Sequence, residues 1–64
     1  MWTDSERKEL DREYSRIGIR EGELLPAPSR DVSTDVFLAM LRLIPDGGGK
    51  AGYVAALARL AGGS

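Results

Sequence analysis

The chain has 64 residues with nine basic and ten acidic side chains, a formal net charge of −1, and neither cysteine nor histidine. That length holds one domain, residues 1–64, whose core buries only about 60% of the surface the unfolded chain exposes. The composition excludes a disulfide framework, a thiolate or imidazole metal site and histidine-mediated proton transfer, and the near-neutral balance leaves no overall field to draw the chain onto nucleic acid or an anionic membrane.

Three helices are predicted in chain order, making an all-α, small three-helix domain. The first covers about residues 4–20. It opens with Thr3-x-x-Glu6, the spacing at which a threonine hydroxyl and a glutamate carboxylate satisfy each other's free amide donors. Its apolar stripe is narrow, consisting of Leu10, Tyr14 and Ile17, and the rest is charged. Asp4 with Lys8, Glu9 with Arg12 and Glu13 with Arg16 are spaced for surface pairing. Gly18 and Gly22 weaken the end of this helix. Pro26 and Pro28 then make residues 22–31 an extended connector, with Leu24 and Leu25 expected to turn inward.

The second helix is predicted over residues 34–44, capped by Ser33 or Thr34, favoured by Asp35 at its positive end and stopped by Pro45. Val36 to Ile44 is apolar on nearly every face, and a helix apolar all round has to be covered all round. Two further helices from so short a chain are expected to be too few for that, which points to a second copy or a partner protein. A flexible turn is expected at Asp46-Gly47-Gly48-Gly49. The third helix, residues 50–61, is rich in alanine and leucine and is expected to pair with the second as a C-terminal helical hairpin.

Gly47-Gly48-Gly49-Lys50 is not a phosphate-binding loop. Ile44 stands where the motif's first glycine belongs, Ala51 stands where a serine or threonine would hold magnesium, and no strand precedes it. Glu6, Glu9, Asp11 and Glu13 sit among Arg7, Lys8, Arg12 and Arg16, without the apolar pocket that a general acid needs. The chain is therefore not expected to be an enzyme. It is expected to hold no metal, no cofactor and no small-molecule substrate, having too little wall for a pocket of several hundred cubic ångströms.

These observations give a small helical protein–protein interaction module, such as an assembly factor, adaptor or inhibitor, that binds a protein partner or self-associates as a homo-oligomer. Its expected contact residues are Trp2, Tyr14, Phe37, Leu38, Leu41 and Ile44, with Trp2 either packed on the core or left as an anchor. The alternative is a helix-turn-helix-like nucleic-acid-binding regulator. Its phosphate contacts would come from Lys8, Arg12, Arg16 and Arg20, a basic residue at every fourth position. The opening Met1-Trp2-Thr3-Asp4-Ser5-Glu6 lacks the basic start and apolar stretch of a signal peptide, and no segment approaches the ~20 apolar residues of a membrane span, so the expected location is cytoplasmic.

Overall fold

Three helices, α1 (Asp4–Ile17), α2 (Thr34–Arg42) and α3 (Gly49–Gly62), form a small all-α domain in a computed structural model that describes residues 2–28 and 31–62. There is no strand among the described residues. The chain begins α1 with the capping box read from its sequence. The Thr3 hydroxyl accepts from the Glu6 amide at 3.2 Å, and Glu6 Oε1 accepts from the Thr3 amide at 3.0 Å.

The helix stops at Ile17 rather than running on to Arg20. Gly18 takes up the left-handed conformation at φ 90°, its amide donates to Ser15 O, and the Ile19 amide donates to Tyr14 O at 2.8 Å. This pair of bonds is the Schellman ending, which satisfies the last carbonyls and reverses the chain. The reversal returns Ile19 to the core beside Ile17, so both isoleucines are buried although they are two residues apart.

Ser33 caps α2 by accepting from the Val36 amide, while Thr34 faces another way and donates its hydroxyl to Glu6 Oε2 at 2.7 Å. Glu6 thus uses one oxygen to cap α1 and the other to fix the start of α2. α2 ends at Arg42, two residues short of the expected limit at Ile44, and α3 runs from Gly49 to Gly62, one residue longer at each end than its pattern predicted.

α2 is the central element, packing on α1 to one side and on α3 to the other. The core consists of Ile17, Ile19, Phe37, Leu38, Met40, Leu41, Ile44, Tyr53 and Leu57. Fully burying an aliphatic or aromatic side chain of this kind contributes about 1.5–3 kcal/mol. All four aromatic residues join in one edge-to-face chain. Trp2 meets Phe37 at 5.8 Å between ring centroids, Phe37 meets Tyr53 at 6.1 Å, and Tyr53 meets Tyr14 at 6.0 Å. Edge-to-face contact sets the positive rim of one ring against the negative face of the next. Here it ties the N-terminus, α1, α2 and α3 together.

Arg16 supplies the other long-range tie. Its guanidinium donates to Leu41 O at 2.8 Å and to Ile44 O at 2.7 Å, and it pairs with Glu13 and Asp46, each at 2.7 Å. The last carbonyls of a helix lack partners within the helix. A side chain from α1 therefore completes the end of α2. The glycine-rich turn is also anchored rather than loose, because the Gly47 amide donates to Arg16 O at 3.3 Å and the Gly48 amide to Pro45 O at 3.0 Å. Those amides point at protein carbonyls and are not turned outward to cradle an anion.

In the connector, Leu25 packs on the core as expected, but Leu24 is 89% exposed. Residues 29 and 30 of this segment lie outside the described residues.

Candidate functional site

The expectation that α2 would be too apolar for its own chain to cover is corrected in part. Phe37, Leu38, Met40, Leu41 and Ile44 are all buried by α1, α3 and the segments between them. Val36, Ala39 and Leu43 are not covered, with Val36 at 47% and Leu43 at 84% exposure. These three recur at the spacing of one helix face. On α2 the uncovered apolar surface is therefore a single stripe, and it runs beside α3.

Between this stripe and α3 lies an open groove of ≈ 560 Å³. The buried side chains Met40 and Ile44 form its floor. Val36, Ala39 and Leu43 make one wall, Gly52, Ala55, Ala56 and Leu60 make the other, and Pro45 closes an end. The hollow follows from residue size. Gly52 lets α3 close directly onto Ile44, where an added Cβ would lie only 3.0 Å from the Ile44 Cγ2 methyl, and the open space lies beside the small side chains of Ala55 and Ala56. No side chain crosses the gap from that wall, while Leu43 and Leu60 stand at the margins. The expectation that so small a chain lacks wall for a space of several hundred cubic ångströms is thus corrected: two helices edged by large residues, with small ones along the α3 wall, border an open groove of that volume without a large core.

Arg59 is the single ionisable residue lining the groove. It is exposed, and none of the hydrogen bonds or ion pairs among the described residues engages it. Arg42, by contrast, pairs with Glu9 at 3.2 Å.

Of the six residues expected to meet a partner, Phe37, Leu38, Leu41 and Ile44 are interior, and only Ile44 touches the groove, from beneath. The sequence pattern located α2 but did not show which of its faces the chain itself covers. Trp2 and Tyr14 are half-buried and lie elsewhere, along a shallower cleft of ≈ 410 Å³ bordered by Leu10, the 23–28 segment, Phe37 and Tyr53. The Tyr53 hydroxyl donates there to Pro26 O at 3.0 Å. Burial, and then the hydrogen bond to Tyr53, push the Tyr14 phenol well above its usual pKa, and burial raises Tyr53 as well. Both rings stay protonated at neutral pH, which suits packing and hydrogen bonding and is opposite to what a phenolate base or nucleophile requires.

In the basic row, Lys8, Arg12 and Arg16 lie on α1 and Arg20 lies beyond its end. Lys8, Arg12 and Arg20 are exposed, but Arg16 is taken up by Asp46, Glu13 and two carbonyls, and those carboxylate contacts make it hold its proton more firmly than usual. Of the pairs expected along α1, Glu13 with Arg16 forms among the described residues, whereas Glu9 reaches across to α2. Glu6 is held below the usual carboxylate range, first by the Thr3 amide and then by the Thr34 hydroxyl. α3 turns Tyr53 and Leu57 inward and leaves Lys50 and Arg59 as its only charged side chains.

No family model, no curated protein and no solved structure matches the chain. No helix among the described residues is long and apolar enough to cross a membrane.

Proposed function

We propose that this chain is a small helical protein–protein interaction module whose α2–α3 groove receives an apolar helix of another chain. The observation that carries this reading is the open apolar groove of ≈ 560 Å³ with Leu43, 84% exposed, on its rim. Leaving a leucine in water beside an unfilled apolar hollow forgoes about 1.5–3 kcal/mol that burial would contribute. Large apolar side chains set beside such hollows mark sites where one helix lies in the groove of another. The small residues on the α3 wall allow a visiting backbone to come close, and the tied helix ends keep the groove in shape before anything enters it. Pre-formed surfaces of this kind bind with little ordering cost.

The test is a display selection of amphipathic helices of varied sequence against the whole chain, repeated with Leu43→Ser and Ala55→Gln. Both positions are exposed, so each variant should keep its urea stability within about 0.5 kcal/mol. The selected helices should lose binding to both variants. Binders indifferent to both substitutions would place the docking surface elsewhere and contradict the reading.

A further inference from the structure

The groove's charge is as informative as its shape. Its lining contains one ionisable group, Arg59, and that guanidinium has no hydrogen bond or ion pair among the described residues. The whole of α3, GKAGYVAALARLAG, carries two cations and no acid. Asp46, the acid nearest in sequence to the Pro45 end, is already held by Arg16 at 2.7 Å. From these facts we infer that the occupant is a partner's amphipathic helix bearing a carboxylate beside its apolar stripe, rather than a second copy of this chain docked on the same groove.

The argument against a second copy is one of symmetry. Two identical chains meeting through the same patch contact one another around a two-fold axis, so each group faces the same surface it belongs to. Arg59 would then be laid against walls that hold no carboxylate, and a guanidinium pressed into an apolar contact without an opposite charge opposes association. A helix with glutamate or aspartate flanking its apolar stripe meets the same walls with the opposite sign. Apolar contact with Leu43, Val36 and Leu60 supplies the attraction, and the carboxylate on Arg59 sets which helix is preferred and which way round it lies. The guanidinium suits this task because it presents a planar fork of donors to a carboxylate.

This inference rests on the groove being a docking site, and the experiment separates the two claims. The probes are two fluorescently labelled helical peptides of ~14 residues, the length that spans about four turns. They share one leucine–alanine stripe, flanked in one peptide by glutamate and in the other by lysine. The wild-type chain is titrated with each, and so are Arg59→Glu and Leu43→Ser. The glutamate peptide should bind about tenfold more tightly than the lysine peptide. Arg59→Glu should invert that order, and Leu43→Ser should weaken both. Equal affinities that still fall with Leu43→Ser would overturn the charge inference and leave the groove reading standing. A concentration-dependent dimer that Leu43→Ser abolishes would name a second copy as the occupant, again overturning only this inference. Absence of binding by either peptide, or binding unaffected by Leu43→Ser, would overturn both.

Discussion

Leu41 and Leu43 differ by two positions on one helix and by almost everything that decides the effect of changing them. Leu41 is fully buried between α1 and α3, so Leu41→Ala leaves a cavity and should cost about 2–5 kcal/mol in urea unfolding. Leu43 is 84% exposed, and Leu43→Ser should stay within about 0.5 kcal/mol of the parent. Comparable losses at the two positions would mean that the two faces of α2 are wrongly assigned. Glu6 gives a pH prediction at the same scale. Its carboxyl is held below its ordinary range by the Thr3 amide and the Thr34 hydroxyl. A depressed carboxylate contributes stability that is present above the unfolded pKa and is lost as pH falls through the lower folded one. Glu6→Gln should therefore lower the thermal midpoint at neutral pH and flatten its decline on acidification below about pH 4.5. An acid limb as steep in Glu6→Gln as in the parent would contradict that assignment. The role of Arg16 had no such local signal. Its partners Leu41, Ile44 and Asp46 lie 25 to 30 residues away, so spacing could present only its pairing with Glu13 and its place in a row of four cations.

The helices illustrate which local signals determine structure and which do not. The starts were legible because capping is local chemistry: Thr3 with Glu6, and Ser33 before Val36, need only neighbours to form. Pro45 bounded α2 in the same way, although the helix already ends at Arg42. The end of α1 was misplaced because Gly18 acts as a left-handed terminator and not as a weak helical residue, a distinction settled by where Ile19 can be buried. An alanine at Gly18 would have to hold φ near 90°, so Gly18→Ala should cost about 1–2 kcal/mol in chemical denaturation. A gain in stability, as expected if the helix simply ran on to Arg20, would contradict the observed ending. α2 has nine residues, too few to be stable alone, and depends on the flanking helices for its form. Its all-round apolar sequence therefore overstated the need for outside cover. The groove itself was hidden from sequence, since it depends on Gly52 closing onto Ile44 and on the small side chains of Ala55 and Ala56 along the wall, an arrangement that only the packing of α3 creates.

At the scale of the molecule, two tyrosines and one groove set the behaviour. Both phenols are raised above 10.0 by burial, Tyr14 the more strongly. A group whose folded pKa is raised contributes stability that is fully present below the unfolded value and is lost as pH rises through the folded one. The domain should accordingly keep this contribution to its stability up to about pH 10 and lose it as pH rises further, with tyrosinate absorbance appearing later in the folded chain than in urea. Coincident titration of the folded and unfolded chains would contradict the burial of the pair. The groove carries the central claim, that an unfilled apolar hollow between α2 and α3 is where this chain meets another. Amide chemical-shift mapping of the labelled chain, titrated with the glutamate-flanked helical peptide, tests it most directly. The account predicts shifts concentrated at Val36, Ala39, Leu43, Ala55, Ala56 and Leu60, with Lys8 and Arg12 unmoved. Shifts centred on α1, or none at saturating peptide, would contradict it.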